Sequence, residues 1–193
     1  MVHLLADEVL QAILAPPLRV PDSMFEDVGP VSPFNEVEQS ASDVLLVCKR
    51  WMRVATPIIY HTVIIRTTAQ AAALNAALTR NTEFGRHVRR FRLEHPYPGH
   101  ITKAVVRTMP NIVDLCIPIG VLAADKPNDV YELLSKCQPH HLLLVNYRPN
   151  HTNGTFNKVA SKICAALSSC TGLVRALIMS FILSCRVPDV LYS

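Results

Sequence analysis

The chain has 193 residues, enough for one domain or a small module plus a second unit, with 50% hydrophobic residues, 18% charged residues and a mean hydropathy of +0.23. That much apolar side chain must be buried in a core or against a partner. The net charge of +4 is modest, but it is unevenly spread.

The first element is "LADEVLQAIL", residues 5–14, where Ala6, Val9, Leu10 and Ile13 fall on one stripe at helical spacing. Asp7 and Glu8 sit in its first turn, where carboxylates suit the positive end of the helix dipole. These acids interrupt the apolar run and no basic stretch precedes them in the sequence, so no signal peptide is expected here. Pro16 and Pro17 are expected to stop the helix. Residues 16–41 then hold five prolines and one cation against five acids, a net of −4, and read as an irregular, partly mobile loop. Residues 42–110 carry eleven cations and three acids, so an acidic loop precedes a basic block over which it is expected to drape.

In "LLVCKRWMRVATPIIYH", residues 45–61, the apolar positions Val47, Cys48, Trp51, Val54 and Ala55 line one helical stripe with Val44, and Lys49, Arg50 and Arg53 lie opposite in water. Pro57 predicts a break there. Strand and helix patterns alternate afterwards. The strands are "HTVIIRT" (61–67), "HVRRFRLE" (87–94), "IVDLCIPI" (112–119), "HLLLVNY" (141–147) and "LVRALIMSF" (173–181). The intervening helices are residues 67–80, with Thr67 and Gln70 spaced as a capping box, and residues 100–109, 126–137 and 155–170. Three strands share one template, with Val88, Phe91 and Leu93 matched by Ile112, Leu115 and Ile117 and by Leu173, Ala176 and Ile178, and Leu142 and Leu144 form its tail. The aligned positions 91, 115, 142 and 176 are 24, 27 and 34 residues apart, a period that fits an irregular leucine-rich-repeat-like solenoid. The alternative is an ordinary α/β domain with a parallel sheet.

No glycine-rich phosphate loop, nucleophile elbow, zinc-protease helix or paired-cysteine zinc pattern is present, so neither an enzyme nor a cofactor or metal is expected. Cys137, His140 and His141 lie close together but lack a fourth ligand at sensible spacing, and the six cysteines read as buried thiols. The sequons at Asn150 and Asn153 read as chance matches. The basic strand around Arg86, Arg89, Arg90 and Arg92 is the strongest candidate for a phosphate surface. With aromatics at only 6%, nucleic acid is not expected, and Arg90 and Arg92 are expected to be solvated while Phe91 and Leu93 face the core. "ALIMSFILSC", residues 176–185, is too short to span a bilayer, so no membrane partner is expected.

Two stretches resemble the F-box. "LADEVLQAIL" is similar to its first helix, with Ala6 where proline is usual, and "DVLLVCKRWMRVATPIIY" carries its Leu-Val-Cys-Lys-x-Trp pattern as Leu46, Val47, Cys48, Lys49, Arg50 and Trp51. The long insert between them, the "ATPxxY" run, the alanine-rich helix and the "RxVRRxRxE" strand resemble F-box-like proteins of mushroom-forming fungi. The resemblance covers most of residues 4–120. It implies an α+β chain, with a helical F-box-like module at 1–60 carrying the acidic insert at 16–41, then an α/β leucine-rich-repeat-like region at 61–193. It also implies a receptor subunit of a cullin-RING (SCF) ubiquitin ligase, cytoplasmic or nuclear, which binds a Skp-type adaptor and an unknown protein substrate. An F-box-like scaffold outside the ligase is the second reading, and a basic nucleic-acid-binding protein the third. Leu5, Val9, Leu10, Ile13, Leu46, Val47, Cys48 and Trp51 are the candidates for the shared F-box core and docking face. The last strand runs from Leu173 into a mostly apolar tail whose only charges are Arg186 and Asp189, so a missing C-terminal cap is expected.

Overall fold

The structure, a computed structural model, describes residues 5–29, 31–35, 41–94, 107–118, 134, 137–146, 167, 168, 170 and 172–180. Among these residues it is a mixture of α-helices and parallel strands. The helices are α1 (Asp7–Leu18), α2 (Asp22–Phe25), α3 (Lys49–His61), α4 (Thr68–Arg80) and α5 (Glu83–His87), and a 3-10 helix at Ala41–Leu46 precedes α3. The strands are β1 (Thr62–Ile65), β2 (Arg90–Leu93), β3 (Asp114–Pro118), β4 (His141–Asn146) and β5 (Arg175–Ser180). All five expected strands form, each a little shorter than its sequence pattern.

The strands make one sheet in the order β1-β2-β3-β4-β5, every neighbouring pair parallel. Its register puts Val63, Phe91, Leu115, Leu142 and Ala176 in one rung, so the positions aligned in the sequence are neighbours in space. Side chains alternate across a strand, so this rung and the one holding Ile117 and Leu144 face the same way. Phe91, Leu93, Leu115, Ile117, Leu142 and Leu144 are almost fully buried there. Packed on them are Ala71 and Leu78 of α4, Met109 and Ile112 before β3, Leu134 and Cys137 before β4, and Cys170 before β5. Every crossover therefore contributes to the core on one face of the sheet. A parallel sheet of the ordinary doubly wound kind has helices on both faces. Among the described residues this one is wound singly.

Local chemistry explains the crossover that is described throughout. Thr67 accepts from the Gln70 amide at 3.1 Å while Gln70 Oε1 accepts from the Thr67 amide at 3.3 Å, a complete capping box that starts α4. Tyr60 stacks on Phe84 with ring centroids 4.8 Å apart, fastening the end of α3 to α5. Gly85 is buried, and a Cβ on it would stand 1.9 Å from the Thr108 carbonyl oxygen, so only glycine lets α5 lie against that backbone.

Four local expectations change. α1 runs through Pro16 and Pro17 to Leu18, because the packing of Leu10 and Leu14 holds the helix and the prolines fall in its last turn. α3 likewise continues through Pro57, with Ala55 and Ile58 buried on either side of the lost hydrogen bond. The single stripe expected from Val44 to Ala55 is two elements, since Cys48 is extended and caps α3 from outside. The residues between Val20 and Phe34 form no free loop: α2 is helical, and Phe25 and Phe34 are 3% and 7% exposed. The helices expected at 100–109, 126–137 and 155–170, the two sequons, and the tail on which the missing cap rests lie wholly or mostly outside the described residues.

Replacing Gly85 by alanine should cost on the order of 1–3 kcal/mol, because the new methyl meets backbone and not a side chain that can swing away. A urea titration of G85A against the parent chain measures it, and an unchanged midpoint would contradict the close approach.

Candidate docking surface

The helical module separates the eight candidate residues into two groups. Leu10 and Leu14 of α1 pack against Ala55 and Ile58 of α3, with Val44, Leu45, Trp51 and Val54 around them. Leu10 is 1% exposed and Trp51 is half-buried, so both are core residues. The tryptophan anchors the apolar side of α3. The other six candidates, Leu5, Val9, Ile13, Leu46, Val47 and Cys48, face solvent. Met52, absent from the sequence candidates, is exposed beside them in α3. Among the described residues eight large apolar side chains are exposed, and six of them belong to this module. Scattered single exposures are ordinary, but such a concentration on three packed elements is the signature of an interaction surface.

Charge fixes how the module closes. The first turn of α3 holds no acid, and its N-cap gives no side-chain hydrogen bond. Lys49 and Arg50 thus start a helix at its positive end, which is unfavourable. Asp7 of α1 supplies the missing negative charge, taking Arg50 Nε at 2.8 Å and Arg53 at 2.6 Å. Arg50 also donates to the Leu5 carbonyl. The hydrogen bond from Arg50, opposed by partial desolvation and helped by Arg53, holds the Asp7 carboxyl below the ordinary carboxylate value. Arg50 and Arg53 were expected simply to face water; they join α1 to α3 instead.

The second candidate surface is the sheet face without crossovers. Its first rung runs Thr62, Arg90, Asp114, His141, Arg175, and the next described rung runs Ile64, Arg92, Cys116, Leu143, Leu177. Residues from Val20 to Val28, with Ser32 and Phe34, lie across it. Phe25 sits on Cys116, Leu143 and Val145, with Val20, Val28 and Leu177 at the margin. Arg90 and Arg92, expected in water, are 7% and 1% exposed. They are buried because the acidic segment covers them and pairs with part of each guanidinium group, while Arg90 Nε, though 3.1 Å from Asp114, makes no hydrogen bond. Arg90 Nη1 reaches Asp22 at 2.9 Å and donates to the Val20 carbonyl at 3.2 Å, and its guanidinium stands 4.1 Å from the centre of the Phe25 ring. Arg92 donates to the Phe25 carbonyl at 2.6 Å and to Glu94 at 3.1 Å, with the Phe34 ring 5.6 Å away. Ser32 donates to Glu94 at 2.7 Å and Arg66 to the Phe34 carbonyl at 2.6 Å. A cavity of about 180 Å³ remains between Phe25, Glu26 and strands β3 to β5, floored by Leu143 and Leu177 and rimmed by His141 and Arg175.

The thiols of Cys116 and Cys137 are pushed up to about 12 by burial, which keeps them protonated at neutral pH. His141 Nδ1 lies 2.7 Å from Asp114, and among the described residues no three His, Cys, Asp or Glu side chains converge as a metal site would need. No helix among them is long and apolar enough to cross a membrane. Phe25 and Phe34 are the functional candidates that sequence reasoning missed; the available signal was two phenylalanines inside an otherwise acidic, proline-rich segment.

The division of core from surface is measurable. Leu10→Ala should lose about 2–5 kcal/mol, and Val9→Ala should stay within about 0.5 kcal/mol of the parent in the same denaturant titration. Equal losses would mean that the assignment of the α1 faces is wrong. Asp7→Asn should lower the melting temperature at neutral pH. Because the folded pKa of Asp7 is depressed, its stabilisation is present above the unfolded value near 3.8 and fades as pH falls through the folded value. The gap between parent and D7N should therefore close on acidification below that range, and a gap independent of pH would exclude the charge of Asp7 as its source.

Comparisons of this chain with protein-family models, with curated proteins and with solved structures return no match.

Proposed function

We propose that the chain is an F-box-type receptor subunit of a cullin-RING (SCF) ubiquitin ligase, working by binding and not by catalysis. In this reading the exposed apolar residues Leu5, Val9, Ile13, Leu46, Val47 and Met52 dock on a Skp-type adaptor. The single observation that carries it is their concentration on the same helical module that contains the Leu46 to Trp51 pattern. Two short helices and a 3-10 turn bury only one apolar face on each other; a second helical protein can cover the other. The consecutive, singly wound parallel sheet supports a leucine-rich-repeat-like identity for the region after residue 61, which would present the substrate. Such a receptor works in the cytoplasm or nucleus. The burial of Arg90 and Arg92 counts against the basic strand as a phosphate surface.

The test is co-expression with a Skp-type adaptor and recovery of a stoichiometric complex. Val9→Asp with Ile13→Asp should leave the melting curve near that of the parent, since both side chains are exposed, and weaken adaptor binding by roughly 30-fold or more, the effect of losing an interface hot spot worth about 2 kcal/mol. Undiminished binding by the folded double variant would remove this surface from the interface. A complex with the adaptor that excludes the cullin would favour the scaffold reading.

A further inference from the structure

The crossover-free face of the sheet is covered by a segment whose contacts have the character of a bound peptide. Two of its carbonyls, on Val20 and Phe25, accept from Arg90 and Arg92. One aromatic ring fills an apolar patch, and two carboxylates, Asp22 and Glu26, meet Arg90 and Arg175. Main-chain capture plus one side-chain pocket plus flanking charge is how extended and short helical peptides are recognised generally.

The receiving arginines are aligned from within the sheet. Arg90 Nε lies 3.1 Å from Asp114, without the alignment of a hydrogen bond, and Arg92 Nε donates to Glu94 at 3.1 Å. These carboxylates belong to β3 and to the residue following β2, so outside the covering segment Arg92 has one hydrogen-bonded partner and Arg90 one neighbouring opposite charge. The cover itself is loosely held at its charged points. Asp22 is 88% exposed, and Glu26 to Arg175 spans 3.9 Å between two half-exposed side chains. It also fills only part of the face, since the cavity beside Phe25 continues to His141 and Arg175 on β4 and β5.

We propose that this sheet face is a peptide-binding surface and that residues 20–29, with Phe34, occupy it as an internal ligand. The external ligand it fits is an acidic peptide with the chemistry of the occupant: an aromatic residue, one carboxylate three positions before it and another immediately after, as in Asp22, Phe25 and Glu26. A covalently tethered ligand acts at millimolar effective concentration, so the external peptide binds weakly until the tethered copy is loosened. In a ligase receptor this peptide would be the substrate's recognition segment. That identification rests on the adaptor reading, whereas the binding itself does not.

The experiment uses the whole chain without adaptor and a fluorescein-labelled peptide copying residues 18–28, followed by anisotropy. Asp22→Asn with Glu26→Gln in the chain should tighten peptide binding at least tenfold over the parent, and the peptide with alanine in place of its phenylalanine should not bind. Added peptide should also speed amide exchange in residues 20–34 of the parent. Arg175→Glu, a half-exposed side chain on the last described strand, should remove binding while the melting curve holds, which keeps the test valid if the double variant is poorly folded. Equal peptide affinity for parent and double variant, binding of the alanine peptide, or displacement of the segment by an oligothymidylate in place of the peptide would each overturn the proposal. Adaptor co-purification is scored separately, so either idea can fail while the other stands.

Discussion

The structure depends on one topological constraint: five parallel strands added in sequence order, with each crossover contributing to the core on the same face. A parallel connection has to cross over, and its handedness is fixed, so a strand that always joins the same edge always sends its return path over the same side. One face gains a core of leucine, isoleucine and phenylalanine. Among the described residues the opposite face receives nothing from the crossovers, although it carries Cys116, Leu143, Val145 and Leu177. The segment between α1 and the 3-10 helix meets that need, which is why an acidic, proline-rich stretch ends up carrying two buried phenylalanines.

Burying Arg90 and Arg92 would be costly in an apolar setting, since a charge taken out of water must be paired and hydrogen-bonded. Here carboxylates, main-chain carbonyls and aromatic faces share the task, and they come from both sides: Asp114 and Glu94 from the sheet region, Asp22, Val20, Phe25 and Phe34 from the cover. The acidic segment and the basic block that follows it in sequence are therefore two halves of one electrostatic contact. The charge asymmetry predicted that they would meet. It did not predict that the contact would bury Arg90 and Arg92.

Much of the fold was legible before the structure. The rung of Phe91, Leu115, Leu142 and Ala176 could be aligned from the strand template because a shared core imposes the same spacing on each strand. The α4 capping box was legible because it is a local, reciprocal pair of hydrogen bonds. The readings that failed were those in which tertiary contact overrules local chemistry. Pro17 and Pro57 remain in helices because buried neighbours hold them, and the arginines of β2 are hidden by a segment roughly 70 residues away in sequence. The candidate docking residues showed the same limit. Helical periodicity marks Leu10 and Val9 alike as apolar, and only the position of α3 decides that Leu10 is inside and Val9 is not.

The junction between α3 and β1 has a mechanical consequence. His61 ends the helix and Thr62 begins the strand, with no residue between them, and Tyr60 is clamped on Phe84 at that point. The helical module thus has no swivel relative to the sheet. Partners held on the two regions would sit at the ends of a stiff lever, their separation and angle set by the fold and not averaged by a floppy tether. For any assembly that must present one bound protein to another, that stiffness replaces search with aim.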